Sequence, residues 1–175
     1  MDKTPFRNIF LIGFMGTGKS TVGRELAARM NLTFVDMDDV IVERAGKPIP
    51  RIFAEDGEPH FRAVERSVAH DLSTSKGLVV ATGGGVVLDA DNMRDFYASG
   101  LVVCLQCAPD VILQRVEGDT NRPLLAGSRE EKLVRMTSLM KRRRPLYDAI
   151  PNQIDTSNLS IKDVATRIEA LYTRI

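Results

Sequence analysis

The chain has 175 residues, close to the usual size of one domain and long enough to bury a substantial core, so we predict a single domain over residues 1–175. Hydrophobic residues make up 43% and charged residues 27%, as in globular proteins, and no apolar run approaches the roughly 18 residues that a membrane span needs. The net charge of +1 gives no general attraction to nucleic acid or membranes, and with no signal-peptide core at the N-terminus we expect a cytoplasmic protein.

Short apolar runs alternate with longer amphipathic stretches, a pattern typical of β-α units around a mostly parallel sheet. Strands are predicted over residues 8–12, 33–36, 78–81, 101–106 and 152–155. Helices are predicted over residues 19–30, 38–45, 48–72 with an interruption, 89–98, 109–116, 128–148 and 160–173, with Ser160 as a cap of the last one. Because ligands of such sheets collect at the carboxyl ends of the strands, the residues that follow each strand are the functional candidates.

The first predicted strand is followed by Gly13-Phe14-Met15-Gly16-Thr17-Gly18-Lys19-Ser20 and then by a helical pattern. This G-x-x-x-x-G-K-[ST] motif, between a strand and a helix, predicts a phosphate-binding P-loop rather than an ordinary glycine-rich turn. Its backbone N–H groups and the N-terminal end of the helix suit oxyanions. We expect Lys19 to reach the β- and γ-phosphates of a nucleotide and the Ser20 hydroxyl to bind Mg²⁺.

Two carboxylates, Asp36 and Asp38, follow the second predicted strand. Side chains at i and i+2 of an extended segment lie on the same side, so both would point into the crevice beside the P-loop. Such a pair can hold Mg²⁺, directly or through water, or accept a proton from an attacking hydroxyl. The alternative is that Asp38 or Asp39 caps the next helix.

An arginine and a run of glycines are the next candidates. Arg62 and Glu65 share a helix face, so the carboxylate could orient the guanidinium to bind a carboxylate or phosphate; a solvated salt bridge is the alternative. Three glycines at positions 83–85 end the third strand candidate, which indicates close approach of the backbone to a ligand or to another segment, unless they form a flexible turn.

The C-terminal half adds a candidate lid and two clusters. Residues 118–127 are polar and turn-rich around Arg122, which predicts a lid that brings a cation to a phosphoryl group, with an ordinary surface loop as the alternative.

The basic run at residues 141–144 has almost no aromatic neighbours, so we expect no nucleic-acid binding. Cys104 and Cys107 have no second cysteine pair or nearby histidine to complete a zinc site, and we predict ordinary buried thiols.

Taken together, these motifs resemble those of the shikimate kinase family, in order and approximate spacing, from Asn8 to the last helix. The matching segments are residues 13–21, Asp36-x-Asp38, Phe61-Arg62-x-x-Glu65, Gly83-Gly84-Gly85, Arg122-Pro123-Leu124-Leu125 and Arg143-x-Pro145-Leu146-Tyr147. The resemblance implies an α/β P-loop NTPase fold of the nucleoside-monophosphate-kinase type, a five-stranded parallel sheet flanked by helices. It also implies a mobile lid near residues 118–127 and a substrate-binding subregion near 36–72.

The resemblance further implies transfer of the ATP γ-phosphoryl group to the 3-hydroxyl of shikimate, in the route to chorismate and the aromatic amino acids. The residues that it assigns to ATP are Gly16, Thr17, Gly18, Lys19, Ser20, Thr21, Arg115 and Arg122, and those that it assigns to shikimate are Asp38, Arg62, Gly84 and Arg143. Ser20 and Asp36 would hold Mg²⁺, and Lys19, Asp38 and Arg122 would be catalytic. Arg144, beside Arg143, leaves open which of the two faces the substrate. We expect a monomer.

Two other functions compete with this assignment. A kinase of the same fold could act on another polyol acid, such as gluconate, or on a nucleoside monophosphate, although a two-arginine clamp with a triple glycine argues against it. A P-loop protein could instead sense nucleotide and move its lid without catalysis, but the presence of Lys19, Ser20, Asp38 and Arg122 argues against it.

Overall fold

Five parallel strands lie at the centre of the structure, a computed structural model that describes residues 7–117 and 127–175. The strands are β1 (Asn8–Ile12), β2 (Thr33–Asp36), β3 (Leu78–Ala81), β4 (Gly100–Gln106) and β5 (Gln153–Asp155). Their order in the sheet is β2-β3-β1-β4-β5, and every neighbouring pair is parallel. The parallel sheet that the sequence predicts is therefore confirmed, with the P-loop strand in the middle.

Helices connect the strands and cover both faces of the sheet. They are α1 (Lys19–Met30), α2 (Met37–Ala45), α3 (Ile49–Glu55), α4 (Glu58–Thr74), α5 (Ala90–Ser99), α6 (Pro109–Val116), α7 (Arg129–Asp148) and α8 (Ile161–Tyr172), with a 3-10 helix at Val86–Leu88. The predicted interruption falls between α3 and α4, where Gly57 has a φ of +84° that favours glycine. The predicted cap is also present, since Ser160 accepts from the Asp163 N–H.

The core forms two layers because side chains alternate along β1. Ile9 and Leu11 pack with residues of α1 and α8 on one face of the sheet. Phe10 and Ile12 point to the other face, where the Phe10 ring stacks on Phe96 of α5 with centroids 4.2 Å apart. A strand buried on both faces reads as a continuous apolar run, which is how β1 appears in the sequence.

The two cysteines lie in the core. Both thiols are free and buried, and burial raises the pKa of Cys104 to about 12. A thiol with such a pKa stays protonated near neutral pH, as expected for an inert core residue. Among the helices of residues 7–117 and 127–175, none is long and apolar enough to cross a membrane.

Candidate active site

A cleft of about 1680 Å³ runs along the carboxyl edge of the sheet. It is lined by every predicted site residue in the described ranges: Gly16, Thr17, Gly18, Lys19, Ser20, Thr21, Asp36, Asp38, Arg62, Gly84, Arg115 and Arg143. Arg122 and all of the predicted lid except Gly127 lie outside the residues that the structure describes. Side chains far apart in the sequence thus meet where ligands of parallel α/β sheets bind.

The P-loop curls between β1 and α1 around its glycines. Gly16 and Gly18 have φ angles of +72° and +98°, a region that favours residues without a Cβ. The Lys19 ammonium folds over the loop and donates to the carbonyl oxygens of Gly13 and Phe14 at 2.7 and 2.8 Å. The first turn of α1 therefore places the positive charge of Lys19 close to the N-terminal end of the helix, which suits a phosphate.

Asp36 connects the P-loop to the start of α2. One of its carboxylate oxygens accepts from the Ser20 hydroxyl at 2.7 Å, and the other accepts from the Asp38 N–H at 3.1 Å. Asp36 is the N-cap of α2, so the alternative in which Asp38 or Asp39 caps this helix is wrong. Asp36 takes that role because its backbone is still extended while the helix starts at Met37.

The same helix start corrects the geometry expected for the two aspartates. Asp38 lies in the first turn of α2 and not in an extended segment, although it faces the cleft together with Asp36. The Ser20 hydroxyl and the Asp36 carboxylate form a pair of hard oxygen ligands beside the P-loop. Such a donor set fits Mg²⁺, which commonly takes one or two protein oxygens and completes its shell with phosphate and water.

Two carboxylates hold the Arg62 guanidinium in the cleft. Nη1 donates to Glu65 at 2.7 Å, while Nε and Nη2 donate to one oxygen of Glu58 at 3.3 and 3.2 Å. Only 2% of the Glu65 side chain is exposed, so this pair is not the solvated salt bridge of the alternative interpretation. Burial raises the pKa of Glu65, and Arg62 opposes that shift by stabilising the carboxylate.

The three glycines allow four charged side chains to converge. A Cβ on Gly83 would lie 3.2 Å from Asp38 and 3.3 Å from Glu65. On Gly84 it would meet Nη1 of Arg143 at 3.5 Å, and on Gly85 it would lie only 2.5 Å from Nη1 of Arg62. The expected close approach of the backbone to other segments is therefore present.

The same stretch also offers hydrogen-bond donors. The N–H groups of Gly83, Gly84 and Gly85 have no acceptor within residues 7–117 and 127–175. All three glycines line the cleft. Polar atoms of a ligand can therefore accept from this backbone without displacing an internal hydrogen bond.

The structure distinguishes between the two neighbouring arginines of α7. Arg143 lines the cleft beside Gly84, whereas 78% of the Arg144 side chain is exposed and its Nε donates to Asp148 at 3.3 Å. Successive residues of a helix point about 100° apart, so only one of them can face the glycines.

Two residues of the cleft region have roles that the sequence did not predict. The Tyr147 hydroxyl donates to the Gly84 carbonyl at 2.6 Å. The Thr156 hydroxyl donates to the Thr17 carbonyl of the P-loop at 2.9 Å, and the Thr156 carbonyl accepts from Arg115 at 2.9 Å. Thr156 directly follows β5, so the rule for strand ends could have indicated it, whereas the sequence gives no signal for the Tyr147 hydrogen bond.

Comparisons with known proteins give one result. The family model for shikimate kinase matches residues 15–172. The shikimate kinase of Thermodesulfovibrio yellowstonii is 41% identical over 169 residues, 97% of this chain and 96% of that protein. That of Desulforudis audaxviator is 44% identical over 169 residues, 96% of this chain and 88% of that protein. The solved structure of shikimate kinase from Acinetobacter baumannii in complex with shikimate has a TM-score of 0.88 at 40% identity, covering 95% of this chain and 92% of that chain.

Proposed function

The chain belongs to the shikimate kinase family, and we propose how the residues of its cleft share the transfer of the ATP γ-phosphoryl group to the 3-hydroxyl of shikimate. Family membership excludes the gluconate, nucleotide-acceptor and sensor alternatives. The observation that carries the residue assignment is the convergence of Asp38, Arg62 and Arg143 around the triple glycine, next to the P-loop.

On the nucleotide side, the phosphates bind to the P-loop amides and to the Lys19 ammonium. Ser20 and Asp36 would hold Mg²⁺, directly or through water, and the ion would neutralise charge on the phosphate oxygens. Arg115 donates to the Gly16 carbonyl of the P-loop at 3.4 Å and to the Thr156 carbonyl at 2.9 Å, and this position beside the loop supports its assignment to the nucleotide. We predict that Arg122 is the cation that a lid brings to the phosphates.

On the substrate side, Arg62 and Arg143 bind the shikimate carboxylate. Charge-assisted hydrogen bonds from two guanidinium groups are the strongest contacts that this cleft offers to an acid. The Nε and Nη2 edge of Arg62 suits a carboxylate in bidentate fashion, and in this structure one oxygen of Glu58 accepts from both atoms. The substrate carboxylate therefore replaces Glu58 on that edge, which is feasible because 60% of the Glu58 side chain is exposed.

The chemical step needs a proton acceptor and charge neutralisation. Asp38 accepts the proton of the attacking hydroxyl or orients that hydroxyl, and the glycine N–H groups fix the ring beside it. Lys19 neutralises the charge that develops on the transferring phosphoryl group and on the β-phosphate. No covalent intermediate with the enzyme is required, since phosphoryl transfer depends mainly on positioning and electrostatics.

The first test is the release of ADP by the wild-type protein, with ATP and Mg²⁺, in the presence and absence of shikimate. We expect release that depends on shikimate and a product that is phosphorylated at the 3-hydroxyl, identified by ³¹P NMR. Gluconate and a nucleoside monophosphate serve as control acceptors. ADP release at the same rate with and without shikimate would contradict the proposal.

Substitution of Gly85 by Ala tests the packing against Arg62. The new methyl group would overlap the Arg62 guanidinium, whereas the Gly85 backbone, with a φ of −91°, accepts alanine without strain. We expect the KM for shikimate to rise by about tenfold, less than for removal of the Arg62 side chain, because the displaced guanidinium keeps part of its bond to the substrate carboxylate. A KM equal to that of the wild type would show that the Arg62 position does not matter for substrate binding.

We further propose a monomeric, cytoplasmic enzyme. The support for a monomer is that one chain supplies to one cleft every assigned residue of the described ranges, so no second subunit is needed to complete that part of the site. Size-exclusion chromatography with light scattering measures the mass in solution, and we expect the value of one 19.4 kDa chain.

A further inference from the structure

We propose that the Tyr147 hydroxyl is a positioning group for the substrate, because it locks the peptide between Gly84 and Gly85 in one orientation. The inference deepens the proposed function and rests on it. It concerns a residue that makes no proposed contact with shikimate or ATP and acts through the glycine backbone.

The hydrogen bond that supports this role is short and buried. The Tyr147 hydroxyl donates to the Gly84 carbonyl at 2.6 Å, and the side chain is 7% exposed. Burial raises the pKa of Tyr147 above its usual value, with a smaller opposing influence from the neighbouring Arg143 guanidinium. The phenol therefore keeps its proton at neutral pH and remains a donor.

The peptide that receives this bond has little else to fix its plane. Glycine on both sides removes the Cβ contacts that normally restrict backbone rotation. The flanking carbonyls are used locally, since Gly83 accepts from the Val86 N–H at 3.2 Å and Gly85 accepts from the Leu88 N–H at 3.0 Å. The Gly84 carbonyl instead accepts from a side chain 63 residues away.

Fixing this carbonyl also fixes a donor. A trans peptide is planar, and its C=O and N–H groups point in opposite directions. When the Gly84 carbonyl points to Tyr147, the Gly85 N–H points away from α7. That N–H has no acceptor in the described parts of the chain, and its residue packs against the Arg62 guanidinium. The lock thus presents a backbone donor to the substrate next to one half of the carboxylate clamp.

Helix α7 carries both Tyr147 and Arg143, the second arginine proposed to bind the substrate carboxylate. Arg143 and Tyr147 are one helical turn apart and both approach Gly84. The end of this helix is tied to β5, because the Gln153 amide donates to the carbonyls of Tyr147 and Ile150 at 2.6 and 2.7 Å. One rigid element therefore sets the positions of a substrate-binding arginine and of the glycine peptide beside it.

The test is Tyr147→Phe, which removes the hydroxyl and keeps the ring. Tyr172→Phe is the matched control, because its hydroxyl also donates to a backbone carbonyl, at 3.1 Å, but that carbonyl belongs to Arg7, which does not line the cleft as Gly84 does. The measurements are the KM values for shikimate and ATP, the Kd of shikimate by calorimetry, and the Tm. For Tyr147→Phe we expect the KM and Kd for shikimate to rise by about tenfold, with the KM for ATP unchanged.

The control separates positioning from a purely structural role. Tyr172→Phe should keep both KM values. The inference is overturned if Tyr147→Phe leaves the KM for shikimate unchanged, with or without a lower Tm, or if it raises both KM values equally. Its failure differs from failure of the proposed function, in which the wild-type protein would release no ADP in response to shikimate.

Discussion

Asp38→Asn will lower kcat by about two to four orders of magnitude, the usual contribution of a positioned general base. Asparagine keeps the size of the side chain but cannot take up the proton of the attacking hydroxyl. The N-cap of α2 is unaffected, because its carboxylate belongs to Asp36. We therefore expect the Kd for ATP, measured by calorimetry, to stay at the wild-type value while turnover collapses.

Asp39→Asn is the control for this result. It removes the same charge from the same first turn of α2. Asp39 also lines the cleft, but its side chain is exposed and the proposed mechanism gives it no contact with the attacking hydroxyl. We expect its kcat to stay within about twofold of the wild type, because the loss of this charge leaves the proton acceptor in place. Turnover of Asp38→Asn at the wild-type rate would show that Asp38 is neither the base nor an orienting group.

The outer bounds of the strands and of the α-helical stretches could be predicted from the sequence to within one or two residues because their apolar patterns are regular, whereas the 3-10 helix at Val86–Leu88 was not predicted. The P-loop could be predicted because its function needs fixed residue types at fixed spacing. In both cases the information is local. Each of these structures is determined by the residues of one short stretch of the sequence.

The contacts that complete the cleft depend on information that is not local. Asp36 serves as N-cap instead of Asp38 or Asp39 because the helix starts one residue earlier than the pattern predicts. Whether Arg143 or Arg144 faces the cleft depends on which side of α7 packs on the core. Two adjacent arginines in the sequence do not indicate which side that is. Tyr147 lies four residues after Arg143, on the same side of the helix, and is buried. Its burial, which only the structure shows, identifies the side of α7 that packs on the core.

Arg62→Ala and Arg143→Ala will each raise the KM for shikimate by roughly 30- to 150-fold, or about 2 to 3 kcal/mol, if each loses a charge-assisted bond to the substrate carboxylate. Arg144→Ala is the matched control, since this neighbour of Arg143 points to solvent. An unchanged KM for shikimate in both variants would show that Arg62 and Arg143 do not bind the substrate. The double variant should lose less binding free energy for shikimate than the two single variants lose together, because both arginines bind the same carboxylate.

The two clamp variants should differ in stability, because only Arg62 is bonded to Glu65. Arg62→Ala leaves a buried carboxylate without this partner, so the pKa of Glu65, already raised by burial, rises further. A carboxyl whose pKa is higher in the folded than in the unfolded protein favours folding at low pH, and this contribution is lost as the pH rises from the ordinary value through the raised one.

Thermal unfolding at several pH values measures this difference. The Tm of Arg62→Ala should fall relative to the wild type as the pH rises from about 4.5, the ordinary pKa of Glu65, to neutral. The Tm of Arg143→Ala should follow the wild-type profile more closely, because Arg143 is the smallest of the influences on Glu65. Parallel profiles for both variants would mean that Glu65 does not depend on Arg62. The substrate clamp would then lack the buried carboxylate that holds one of its arginines in place.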